Sequence, residues 1–269
     1  MAKTSKKQTN TGGSDLESVS ERVAKRIRPA SQLPQHARFL FYGRSGVGKT
    51  RLAASAPDVL LIDINEQGTT SVRRDYDPQV YPVETWTELQ DVYWYLASGD
   101  HPYKSVALDG ATAMQNLCMK FILGDEASRD ASRDPDMPTR QAWGKLGELM
   151  KTQIVNYRNL PMNVIFTALQ RSRVSGDGAE DEEEMTIGPA CSPSVAGTLE
   201  AAVDIIGYLV TREVILKKKE TGKTRRVVRR KLMVGPSERF VTKDRTGRLP
   251  NDITDPDLEA MIKLIFSDE

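Results

Sequence analysis

Phe39-Leu40-Phe41-Tyr42-Gly43-Arg44-Ser45-Gly46-Val47-Gly48-Lys49-Thr50 is the stretch that decides the fold. Its first four residues are an uninterrupted apolar run, the pattern of a strand buried on both faces. The eight that follow satisfy G-x-x-x-x-G-K-[ST] at every fixed position. Average composition predicts about 0.01 chance matches in a chain of this size. The glycines let the backbone curl so that successive N–H groups point at phosphate oxygens. Lys49 reaches the β- and γ-phosphates as a point charge, and the Thr50 hydroxyl takes a magnesium position. The cofactors implied are ATP and Mg2+, with Gly43, Arg44, Ser45, Gly46, Val47, Gly48, Lys49 and Thr50 as the nucleotide-binding loop.

Outward from the loop, apolar strands alternate with helical patterns. Thr50–Ser55 opens a helix that stops before Pro57. Val59–Ile62 is a second buried strand running into Asp63, and Val106–Leu108 is a third that stops at Asp109. Trp86, Leu89, Tyr93 and Leu96 mark an amphipathic helix. Trp143, Leu146, Met150, Ile154 and Tyr157 mark a long one over about 140–159, and Asn163–Leu169 is a fourth strand. Beyond Asp204 the pattern changes to an antiparallel hairpin, Ile205–Leu216 with Thr224–Val234, turning at Thr221-Gly222-Lys223. A short strand at Phe240–Lys243 follows, then a final helix with Asp255 as N-cap and Pro256 at its first position. This final helix turns Leu258, Met261, Ile262 and Ile265 inward. The fold expected is α/β: a mostly parallel sheet with helices on both faces, extended by C-terminal antiparallel strands and a final helix.

Composition bounds the rest. In 269 residues, 39% are hydrophobic and 28% charged, enough apolar mass for one domain with a core. Residues 1–36 read as a basic, flexible tail in which Leu16, Val19, Val23 and Ile27 fall at helical spacing; 37–269 form the globular domain. No apolar run spans a bilayer and no secretory core follows the polar start. Cys118 and Cys191 make no disulfide framework, and His36 and His101 leave little for a histidine metal site. A reducing, cytoplasmic setting without a membrane partner is expected, the host's bacterial cytoplasm if the gene is phage-borne.

A net charge of +1 hides a marked asymmetry. Between Arg212 and Arg248 fourteen Lys/Arg face four Asp/Glu, whereas Asp177–Glu184 holds six acids and no base. The basic block is either a solvated face or a polyanion-binding surface.

Two strand ends complete the candidate site. Asp109 is placed to hold magnesium through water, or else to cap a helix. Glu66, beyond the strand that ends at Asp63, is placed to orient the attacking water, with Asp63 and Asn65 as competitors for that role.

These residues resemble the RecA-like core ATPases, and within them the phage ATP-binding proteins of the single-strand annealing recombinase group. The likeness rests on Gly43–Thr50, on Leu61-Ile62-Asp63 through Glu66-Gln67-Gly68-Thr69, and on Asp109. It also takes in Thr167-Ala168-Leu169-Gln170, Val203-Asp204-Ile205-Ile206 and Val241–Gly247. The resemblance implies that Gln170 is a polar sensor of the γ-phosphate, and that Lys243 and Arg245 form a K-x-R pair reaching the neighbouring subunit's nucleotide. It further implies a homo-oligomer with ATP at its interfaces, single-stranded DNA as ligand, and a single-strand-binding protein as a partner. Its DNA loop would follow Gln170, where the acidic block repels phosphates. Arg171 and Arg173, the Arg212–Lys231 hairpin, and the Gly124–Arg140 loop are the alternatives for the nucleic acid. An NTP-driven switch or loader acting on a protein partner remains the competing function. A small-molecule phosphotransferase is a further one; it would use loops at Arg129–Arg140 and Arg171–Glu184 as a lid.

Overall fold

The structure, a computed structural model, describes residues 19–29, 32–33, 35–64, 68–130, 132, 134, 136–175, 184–217 and 224–267. The chain divides after Gln35 into two units. In the first, helix α1 (Val19–Ala24) exposes Val19 and Val23, and Ile27 beyond it is exposed as well.

The second unit is built on a sheet whose described strands run β10-β8-β7-β1-β5-β4-β2-β3. Its parallel core consists of β1 (Arg38–Gly43), β2 (Val59–Ile64), β3 (Gln79–Val83), β4 (Ser105–Asp109), β5 (Asn163–Ser175) and β7 (Ile205–Lys217). The others pair antiparallel: β6 (Glu184–Pro189) on β5, β8 (Thr224–Met233) and β9 (Lys243–Asp244) on β7, and β10 (Asp252–Thr254) on β8. This is the RecA-like arrangement, with β5 inserted between the phosphate-loop strand β1 and the Asp109 strand β4.

Successive strand residues point to opposite faces, so each central strand feeds two cores. Leu40, Tyr42, Ile62, Leu108 and Phe166 pack under α3 (Trp86–Ser98), α4 (Ala111–Arg129), α5 (Arg140–Arg158) and α6 (Pro193–Ala202). Phe39, Phe41, Leu61, Ala107 and Ile165 face α2 (Lys49–Ala54) and α7 (Leu258–Ile265). Because neither face meets water, the strands read as continuous apolar runs.

Several local expectations are corrected. Helix α7 is capped by Asp257, whose side chain accepts from the Ala260 N–H at 2.9 Å, not by Asp255. The Asp255 carboxylate is occupied elsewhere: it accepts the Arg230 N–H at 3.0 Å and pairs with Arg229. Gly124–Arg129 is the last part of α4, which shortens the Gly124–Arg140 loop offered for nucleic acid, and Arg171–Ser175 belongs to β5 and Glu184 to β6, so the described part of Arg171–Glu184 is ladder and not lid. Phe240 makes only an isolated bridge to Ile187, and the strand that follows is Lys243–Asp244. Trp143 is exposed on α5 because Ala142, Leu146 and Met150 already fill its inner stripe.

Cys118 is wholly buried in α4, and burial pushes its thiol up to about 12. A thiol that neither ionises nor meets solvent is inert. Mass spectrometry after iodoacetamide treatment should find Cys118 unmodified in the native protein and alkylated once it is unfolded.

No helix among the described residues is long and apolar enough to cross a membrane.

Candidate nucleotide site

The phosphate loop leaves β1 at Gly43 and enters α2 at Lys49. Gly48 has φ +99°, a conformation that L side chains rarely adopt, so the helix entry requires a glycine there. Arg44, Ser45 and Gly46 are exposed at the tip, whereas Val47 is buried and fastens the loop to the core. Lys49 is also buried; its Nζ donates to the carbonyls of Gly43 at 3.3 Å and Arg44 at 3.0 Å. The ammonium thus lies inside the curl of the loop.

Asp109 ends β4 and is 1% exposed. Its Oδ2 accepts from the Thr50 hydroxyl at 2.6 Å, and its Oδ1 accepts from the Thr167 hydroxyl on β5. One carboxylate therefore ties the loop helix to the strand inserted beside it. A Cβ built on Gly68 would lie 3.0 Å from Thr50 Oγ1 and 3.3 Å from Asp109 Oδ2. The missing side chain leaves that pair of oxygens open on one side. Hard oxygen donors with room beside them fit Mg2+, which binds through one or two carboxylates, a hydroxyl and water. Asp63, also buried, stands in register beside Asp109 on the neighbouring strand. Glu66 and Asn65 lie outside the described residues.

Gln170 follows Leu169, the residue opposite Gly43, so it emerges just past the start of the loop. Its Oε1 accepts from the Tyr208 hydroxyl at 2.9 Å. Tyr208 in turn packs on Tyr42 and stacks on Phe240, with ring centroids 4.4 Å apart in the second contact. Sequence reasoning missed this coupling because Tyr208 reads simply as a strand residue.

Lys243 and Arg245 are not brought to this loop. Lys243 pairs with Ile206, which lies opposite Leu40, about 10 Å back along the strand from Gly43. Its ammonium donates to the Glu200 carbonyl, while Arg245 donates to the Ala201 carbonyl at 3.3 Å and lies 3.7 Å from the Asp204 carboxylate. Both cations meet the last carbonyls of α6, a favourable place for positive charge. Burial, and then the neighbouring Arg245, lower the pKa of Lys243.

Two antiparallel ribbons rise from the end of the sheet that carries the loop. β5 runs past Leu169 with β6 beside it. β7 runs past Tyr208, where its pairing with β1 ends, with β8 beside it. On the second ribbon Arg212 lies directly opposite Arg229, and Arg226 opposite Ile215. Val214, Ile215 and Val228 are exposed among these cations. Of the acidic block Asp177–Glu184, residues 177–183 lie outside the described residues.

Residues 35–246 match the family described as the AAA domain. Among solved structures, the chain is similar to a KaiC-like protein from the hyperthermophilic archaeon Pyrococcus horikoshii OT3. That likeness has 12% identity, covers 75% of this chain and 79% of the other, and has a TM-score of 0.40. No curated protein matches the chain in sequence.

Proposed function

Because this chain belongs to the AAA domain family, we propose that its ATPase domain works as an oligomeric, single-stranded-DNA-binding machine that promotes strand annealing or recombination of the phage type. The loop amides and Lys49 hold the triphosphate. Thr50 and Asp109 hold Mg2+, which when bound neutralises charge on the β- and γ-phosphates. Glu66 orients the attacking water. Gln170 sits next to the loop and shares a hydrogen bond with Tyr208. A change at the γ-phosphate would therefore pass through Tyr208 to Phe240 and to β6, which Phe240 bridges at Ile187. Lys243 and Arg245, distant from their own loop, serve the nucleotide of a neighbouring subunit in the assembly, where a cation stabilises charge developing in the transition state.

The observation that carries the nucleic-acid reading is the β7–β8 ribbon. Arg229 is already paired with Asp255, but Arg212 across the ladder from it is exposed beside Val214 on one face, and Arg226 is exposed beside Ile215 and Val228 on the other, so each face offers cations and bare apolar side chains together. A single strand, with phosphates for the arginines and base faces for the apolar residues, satisfies both features. The ribbon starts at the loop's end of the sheet, so nucleotide state and strand binding can be coupled.

Fluorescence anisotropy with an oligothymidylate and an ATP analogue tests this reading. Wild type should bind with an affinity that falls steeply with salt. R212Q/R226Q should weaken binding and make the slope of log affinity against log salt shallower by about 1.4, the counterions released by two phosphate contacts. An absence of binding at low salt would sink the reading and leave the protein-directed switch. In that case the exposed ribbon would meet a partner protein.

A further inference from the structure

We infer that Arg230 is a nucleotide-binding residue supplied in cis, its guanidinium closing the phosphate loop at Gly48 and taking the α- and β-phosphates of the bound nucleotide. This rests on the reading of Gly43–Thr50 as a nucleotide site and adds a residue from a different part of the chain, 180 positions away from Thr50.

The geometry is specific. A Cβ built on Gly48 would lie 2.3 Å from Arg230 Nε and 3.0 Å from its Cδ, so the arginine packs directly on the glycine's Cα. Arg230 reaches this position through register. It stands opposite Thr211 on β7, two residues past Leu209, whose carbonyl abuts Gly43. Its backbone is held from both directions by Asp255: the Arg230 N–H donates to the carboxylate at 3.0 Å, and the Asp255 N–H donates to the Arg230 carbonyl at 2.7 Å.

Its neighbours on β8 behave differently. Arg229 pairs with Asp255, and Lys231 with Asp252 at 2.8 Å. Alternation sends those two to the opposite face of the ribbon. Arg230 Nε is buried and has no hydrogen-bond partner among the described residues. A buried donor left without an acceptor is costly, the more so on a charged group. The guanidinium, a planar fork of donors, suits two oxygens of a diphosphate better than a single point charge. Loop amides cradle α- and β-phosphates in this motif, which places the arginine on those two groups and not on the γ-phosphate.

Calorimetric titration of the full chain with ADP and with Mg·ATP, paired with thermal melts, tests the assignment. Arg230→Gln should weaken both nucleotides about 10- to 100-fold, the loss expected of charge-assisted hydrogen bonds. The melting temperature without nucleotide should stay level or rise, since a buried donor without a partner is removed, while the shift induced by ADP disappears. Arg230→Lys keeps charge and stem but not the fork, and should lose about 3- to 10-fold. It serves as the readout if the glutamine variant does not fold. Wild-type affinity for ADP in both variants overturns the inference, as does a lowered melting temperature with unchanged affinity, which would mark a merely structural arginine. A loss confined to Mg·ATP overturns the α/β placement. If wild type itself binds neither nucleotide, the reading of the loop fails first, and that result is distinct from the others.

Discussion

Lys49→Ala should abolish ATP turnover, lowering kcat by about 10²–10³-fold or more, the effect of deleting one preorganised charge from a phosphoryl-transfer site. Lys49 is enclosed by the loop, and its Nζ donates to the loop carbonyls of Gly43 and Arg44. Those carbonyls mark where the ammonium rests; a triphosphate offers it stronger, charged acceptors. The folded state should barely notice the change. Hydrogen bonds from a charged donor, worth about 1.5–3 kcal/mol each, are lost, and the desolvation cost of a buried ammonium disappears with them, so the two largely offset. Phosphate release measured beside a thermal melt separates the two effects. Turnover should vanish while the melting temperature moves by a few degrees at most. Unchanged turnover would remove the loop from the chemistry.

The asymmetry of that result, a large functional effect on an almost unaltered fold, follows from how the sequence encodes the two. β1, β2, β4 and β5 are buried on both faces, so their apolar runs were legible without any partner being known. The loop was legible because its glycines and Lys49 answer to a local backbone requirement. Elements whose form depends on neighbours were not. β3 contains Pro82 and exposes Val80 and Tyr81, which discourages a strand reading; the position is tolerated because β3 is the sheet's edge, where proline is accepted. β6 begins within an acidic block and exists because β5 offers it a ladder. In Asp255-Pro256-Asp257 the first aspartate carries the stronger cap signal, with proline after it, yet the strand claims its carboxylate and the helix uses the next one.

The site divides along the same line. Gly43–Thr50 and Asp109 could be named from local pattern alone. Thr167 and Tyr208 could not, since each acquires its partner only when β5 is inserted beside β4 and β7 is laid beside β1. Lys243 and Arg245 show the converse. The resemblance implied a finger, and in the structure both meet the end of α6, away from their own loop. Only an assembly measured with and without nucleotide can bring them to a phosphate.

Asp109→Asn should leave nucleotide binding in the absence of magnesium close to wild type, yet lower kcat by about 10²–10³-fold and remove the gain in affinity that Mg2+ gives. The carboxylate accepts from Thr50 and Thr167 at once. Asparagine has the same shape but offers one carbonyl oxygen and no charge, so it is a poor partner for a hard cation. Its amide NH2 would face a threonine hydroxyl, which can rotate from donor to acceptor. The hydrogen-bonded tie between α2, β4 and β5 therefore survives, and the stability cost stays near 1 kcal/mol. Asp109→Ala is the informative contrast. It deprives both hydroxyls of their acceptor at a site 1% exposed, and each buried group left unsatisfied costs about 1–3 kcal/mol. The alanine variant should thus melt well below the asparagine variant and be no more active. Equal melting temperatures would mean that the carboxylate does not tie the three elements together. A magnesium dependence retained by Asp109→Asn would mean that the metal is held elsewhere.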